Sequence, residues 1–176
     1  TESLLGCEGP SIPVTLEIYS VPSAPLSSNQ TACFNSVIPD LTSTGTNLTW
    51  YLDAGLTTIV GTGSSYSTGQ TAPGVYTYYV SETDGNGCES NGTTVSLEIY
   101  SLPSSPSVTN QTACFGTTIP DLSATGSNII WYSDAALITQ VGTGNNLATG
   151  QTAVGVYTYY ATTTDGNSCE SISASA

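Results

Sequence analysis

The chain of 176 residues contains no lysine, arginine, histidine or methionine, and its 13 carboxylates give a formal charge of −13 at pH 7. Each absence excludes something. Counterions on a phosphate backbone are displaced by cationic side chains, so nucleic acid is not a partner. An anionic membrane surface repels such a chain. A Ser or Cys nucleophile leans on a basic partner, and neither His nor Lys is available. Side-chain salt bridges and Lys–Asn isopeptide cross-links cannot form, and trypsin-like proteases have no cleavage site. Long apolar runs are missing too: no stretch approaches the roughly 18 residues of a membrane-spanning helix, which excludes membrane insertion by that route.

What remains is mostly uncharged. Only 7% of residues are charged, against about a quarter in ordinary domains, so Ser, Thr, Asn, Gln and backbone amides must supply the polar surface. Hydrophobic residues make up 38%, enough for a folded core rather than a disordered chain. The sequence opens at Thr1 without Met and shows no signal peptide, which reads as a processed or partial chain.

A repeat organises the sequence. Cysteines stand at 7, 33, 88, 114 and 169, and shifting the chain by 81 residues aligns residues 21–95 with 102–176 without a gap, 44 of the 75 positions being identical. "NQTACF" at 29–34 returns at 110–115, and "GVYTYY" at 74–79 returns at 155–160. A fixed period means an array of one structural unit.

Each unit reads as short strands between turns. Leu48, Trp50 and Leu52 alternate with Thr49 and Tyr51, and Val95, Leu97 and Ile99 alternate with Ser96, Glu98 and Tyr100. Such alternation marks half-buried strands. The Asp-Gly pair in "TDGNG" (83–87) marks a hairpin turn. No amphipathic helix is evident. The expectation is all-β, about seven strands per unit, with Trp50 and Trp131 in the core and Tyr76 and Tyr157 tying the chain to its own backbone.

The segments "ACFNSVIPDLTSTG", "WYLDAG", "GVYTYYVSETDGNGCES" and "VSLEIY" resemble the immunoglobulin-like repeats of very long secreted or surface proteins of Bacteroidota, often exported by the type IX system. The likeness covers essentially the whole chain. It implies tandem immunoglobulin-like β-sandwich domains, an extracellular or cell-surface location and no catalytic residues.

The expected organisation is a final-strand segment at 1–20, a complete domain at 21–101 and a domain at 102–176 that lacks its final strand. "GCEGPSIPVTLEIYS" (6–20) parallels "GCESNGTTVSLEIYS" (87–101), whereas Ala176 aligns with Val95. The chain thus carries a spare last strand at its start. Ile12, Val14, Leu16 and Ile18 are the candidate donor residues for the open edge of a neighbouring subunit. Head-to-tail contacts of that kind do not close and make filaments. The expected function is therefore a structural, non-enzymatic subunit of an extracellular homopolymeric filament, with itself as partner. The alternative is a tandem-repeat stalk segment of a large cell-surface adhesin, surface glycans being a further partner to consider.

Two cysteine pairings fit the period. Cys33–Cys88 and Cys114–Cys169 would staple each unit and leave Cys7 unpaired or intermolecular; Cys7–Cys33 and Cys88–Cys114 would link units. The first is favoured, because each domain then carries its own staple. Either implies an oxidising compartment. Metal ligation is disfavoured without His or a CxxC pair. Asp84 and Asp165 could offer oxygen to calcium, but each has too few neighbouring carboxylates, and an Asp-Gly turn explains them better. No cofactor is expected. Asn29, Asn47, Asn91 and Asn110 lie in N-x-Ser/Thr sequons open to glycosylation.

Overall fold

The computed structural model describes residues 3–4, 7–8 and 10–176, with side chains described from residue 10 onward. No helix occurs among the described residues, and none is long and apolar enough to cross a membrane. Near the start, β1 (Ser3–Leu4) and β2 (Cys7–Glu8) pair antiparallel. The first repeat then forms β3 (Leu26–Ser27), β4 (Gln30–Cys33), β5 (Leu41–Thr44), β6 (Leu48–Tyr51), β7 (Ile59–Thr62), β8 (Ser65–Tyr66), β9 (Gly74–Glu82) and β10 (Thr93–Tyr100). Two sheets result, one in the order β3-β5-β8 and one in the order β4-β10-β9-β6-β7. Their facing side chains alternate along each strand, so Leu41, Trp50, Val80, Val95, Leu97 and Ile99 are buried.

The second repeat forms β11 (Ser107–Thr109), β12 (Leu122–Thr125), β13 (Ile130–Tyr132), β14 (Gln140–Thr143), β15 (Asn146–Leu147), β16 (Tyr160–Thr162) and β17 (Ala174–Ser175). Its sheets run β11-β12-β15 and β14-β13-β16-β17. Leu122, Ile129, Trp131, Leu147, Tyr159 and Ala161 make its core, with Val108 and Ala176 packed at the margin.

Trp50 and Trp131 are fully buried. Each indole N–H donates to a backbone carbonyl, of Gly63 at 2.8 Å and of Gly144 at 2.9 Å, so the ring's one polar atom is satisfied inside the core. Each tyrosine expected to tie back to its own chain does so: the Tyr76 hydroxyl donates to Ala72 O at 3.0 Å and that of Tyr157 to Ala153 O at 3.3 Å.

With no cation available, carboxylates are satisfied by hydroxyls and amides. Glu89 accepts from the Tyr51 and Ser81 hydroxyls at 2.6 and 2.5 Å, and Glu170 accepts from Tyr132 and Thr162 at 2.8 and 2.5 Å. These bonds hold the Glu89 carboxyl below the usual carboxylate range. Burial first, then the Glu170 bond, pushes the Tyr132 hydroxyl up to about 12. The tight turns after β6 and β13 carry Leu56 and Leu137 at positive φ (54° and 56°). That conformation is costly for a branched side chain. Asp53 compensates by accepting from the Thr57 and Thr58 amides at 3.2 and 2.7 Å, and Asp134 from those of Ile138 and Thr139 at 3.1 and 2.8 Å.

Candidate functional site

In the first repeat, β10 lies between β4 and β9. Its pairing with β4 is parallel, Leu97 standing opposite Gln30 and Tyr100 opposite Cys33. The amide of Phe34 continues the ladder to Tyr100 O at 2.8 Å. On the inner face Val95, Leu97 and Ile99 are at most 2% exposed.

The second repeat begins the same strand with Ala174 and Ser175. Ala174 and Ser175 pair with Ala161 and Tyr160, and the Ala176 and Tyr159 amides and carbonyls exchange bonds at 2.9 and 3.0 Å. Beyond that point the sheet opens into a cleft of about 850 Å³. One wall is Asn110–Thr117, the other runs from Thr152 to Tyr159, and Ser175 and Ala176 close the end. No lining residue is charged. Residues 111–114 form no strand, although residues 30–33 with the same sequence do. Phe115 is 77% exposed where its counterpart Phe34 is 37% exposed, and Val154 and Val156 are also exposed.

A spare strand of matching sequence lies at the other end of the chain. Residues 14–20, "VTLEIYS", match "VSLEIYS" at 95–101 in six of seven positions. Ile12, Val14, Leu16 and Ile18 are 84–93% exposed, and residues 10–20 form no strand. Four large aliphatic side chains in one short segment, all in water, is an unusual surface for a folded chain.

The cysteines depart from the expected pairing. Cys33 is bonded to Cys169, with Cα atoms 5.5 Å apart, while Cys88 and Cys114 are free thiols. Cys33–Cys88 and Cys114–Cys169 staples are therefore not formed, nor is Cys88–Cys114. The register of β10 explains this. Cys33 stands opposite Tyr100, the last residue of that strand, whereas Cys88 precedes Thr93, the first. Eight residues at about 3.3 Å each span roughly 26 Å, far beyond the roughly 7 Å that a disulfide bridges. The period of 81 reveals equal spacing but not which end of a strand each cysteine occupies. The side chain of Cys7 lies outside the described residues.

The remaining candidates are turn and surface positions. Asp84 Oδ1 accepts from the amides of Asn86 and Cys88, both at 2.9 Å, and Asp165 repeats this with Asn167 and Cys169. These carboxylates hold their own turns. Among the described residues no cluster of three or more potential metal ligands occurs. Of the sequon asparagines, Asn29 accepts from the Ser96 amide at 3.0 Å and Asn47 donates to Thr83 O at 3.2 Å, while Asn91 and Asn110 are exposed.

Two all-β units of one repeat define a structural module of the immunoglobulin-like class. The family described as "Ig-like domain CHU_C associated" matches residues 22–100 and again 103–176, and the chain belongs to it. Domains of this family are typical of secreted and cell-surface proteins and serve as structural rather than enzymatic modules. No curated protein matches the chain.

Proposed function

We propose that this chain is a subunit of an extracellular homopolymeric filament, in which residues 15–20 of one copy enter the cleft in the second repeat of the copy before it. The observation that carries the reading is the cleft itself, set where the first repeat holds β10. With the shift of 81, Leu16 takes the place of Leu97 and Ile18 that of Ile99, while Val14 meets the position of Ala176. Burying Leu16 and Ile18 contributes roughly 3–6 kcal/mol before ordering costs. An inserted strand also offers ladder bonds to the backbone of both cleft walls. "VPSAP" (21–25) then stands after the inserted strand as "LPSSP" (102–106) stands after β10, so each junction between copies repeats the one inside the chain.

Subunits of charge −13 repel one another, while the cleft carries no charge. Added salt therefore strengthens assembly by screening. Assembly that weakens as salt rises contradicts this. Electron microscopy of the full chain beside a version lacking residues 1–20 tests the whole reading. Filaments from the full chain alone support it. Two monomeric preparations overturn it and leave the stalk segment of a large adhesin as the better account.

A further inference from the structure

The Cys33–Cys169 bridge joins the strand-position cysteine of the first repeat to the turn-position cysteine of the second. Shifting by 81, the second repeat's strand-position cysteine is Cys114 and the first repeat's turn-position cysteine is Cys88. Among the described residues these are the two free thiols, one exposed and one half-buried. Their local settings match those of the bonded pair. Cys88 is held by Asp84 through bonds of 2.9 and 3.0 Å, and Cys169 by Asp165 through bonds of 2.9 and 3.1 Å. The Ser36 hydroxyl donates to Cys33 O at 2.7 Å, and the Thr117 hydroxyl donates to Cys114 O at the same distance.

We infer that Cys114 of one copy forms a disulfide with Cys88 of the next, so that every junction along the filament carries the bridge that the chain already contains once. This deepens the filament reading and rests on it. Strand insertion places the second repeat of one copy before the first repeat of the next in the order that the chain shows internally. Cys114 then faces the turn of Cys88 as Cys33 faces that of Cys169. Insertion comes first, because residues 111–114 gain a strand partner only when residues 15–20 lie beside them.

The chemistry balances with a low-molecular-weight disulfide as oxidant. The Cys114 thiolate attacks it, one half leaves as a thiol, and the Cys88 thiolate then displaces the second half. The two protein thiols lose two electrons and two protons, and two small thiols form. The bridge closes only where both cysteines are within about 7 Å at Cα, which confines it to a properly seated junction.

The test is assembly of the full chain with oxidised glutathione, read in parallel by electron microscopy and by denaturing gels without reductant. The wild type is expected to give filaments and a ladder of covalent multimers that collapses to monomer on reduction. Cys88→Ser and Cys114→Ser each should keep the filaments and lose the ladder. In an equal mixture of the two variants only junctions with a Cys88→Ser copy followed by a Cys114→Ser copy have a usable pair, so covalent dimers and nothing larger should form. Peptide mapping of the wild-type ladder should recover a Cys88–Cys114 link. A ladder that persists in either variant, or a map showing Cys7 or a symmetric link, overturns the inference. So do wild-type filaments that dissolve to monomers without reductant, and in that case strand donation stands alone. Absence of wild-type filaments overturns the strand reading itself.

Discussion

In the first repeat Gln30–Cys33 is a strand beside β10; in the second, Gln111–Cys114 has the same four residues and is an exposed loop wall. "GVYTYY" behaves likewise, lying wholly within β9 in the first repeat but contributing only Tyr160 to β16 in the second. Local sequence is held constant, so propensity cannot be the cause. What differs is the neighbour. Strand β10 satisfies both flanking segments and places Leu97 and Ile99 in the core, and without such a strand those segments stay in water. Strand formation here belongs to the pair rather than to the segment.

The largest consequence is a gap in stability between the repeats. Leu97 and Ile99 together are worth about 3–6 kcal/mol of apolar burial in the first repeat, and no residue from 102 to 176 is their counterpart. Trp131→Phe leaves Trp50 as the reporter of the first repeat, and Trp50→Phe leaves Trp131 to report the second. Denaturant melts followed by tryptophan fluorescence should show the second repeat unfolding first. Adding a peptide of residues 14–20 should raise the Trp131 midpoint and leave that of Trp50 alone, since a ligand stabilises only the fold it binds. Coincident midpoints, or a peptide that moves both, would break the comparison.

Next in size is a pair of truncations at equivalent positions. Leu97→Ala removes a fully buried side chain and should destabilise the first repeat by about 2–5 kcal/mol. Leu16 is 86% exposed, so Leu16→Ala should leave the melting of the isolated chain unchanged while raising the concentration needed for assembly. Sedimentation alongside the melts separates the two effects. A Leu16→Ala variant that melts early would mean that this side chain is already packed within its own copy.

A smaller effect distinguishes the two tyrosine–glutamate pairs at high pH. Burial holds Tyr132 in its neutral form up to about 12, and its hydroxyl serves the Glu170 carboxylate. A raised value means that the contribution is fully present below the ordinary 10.0 and is lost as pH climbs through about 12. Tyr132→Phe should cost about 1.5–3 kcal/mol at neutral pH, the range for a hydrogen bond to a charged group. Tyrosinate absorbance should lose its most alkaline component in that variant. A Tyr132→Phe chain as stable as the wild type would show that Glu170 is served adequately by Thr162.

Much of this was legible from period and alternation. The all-β class, the core placement of Trp50 and Trp131 and the Tyr76 and Tyr157 tethers follow from strand spacing and from which residues share a face. The disulfide does not. Equal offsets of 81 constrain Cys33, Cys88, Cys114 and Cys169 only to equivalent places, and choosing partners requires knowing that β4 runs parallel to β10 with Cys33 at its far end. Nor does composition reveal that Glu89 and Glu170 are bound by hydroxyls, since that depends on which residues meet across neighbouring strands.

The smallest expected effect is one that should not separate the repeats at all. Amides of Thr58 and Thr57 hold the Asp53 carboxyl below its ordinary 3.8, and those of Ile138 and Thr139 do the same for Asp134. A lowered value means that the contribution is present above the ordinary value and is lost as pH falls through the folded one. Both residues are half-buried turn anchors away from the cleft, so Asp53→Asn and Asp134→Asn should shift the acid melts of their own repeats slightly and equally. Acid also removes charge from a subunit of −13, so assembly should strengthen over the same descent in pH that loosens these turns. Filament yield should rise and then collapse as the repeats unfold. Unequal shifts for the two aspartates would mean that the open edge reaches further into the second repeat than its strands do.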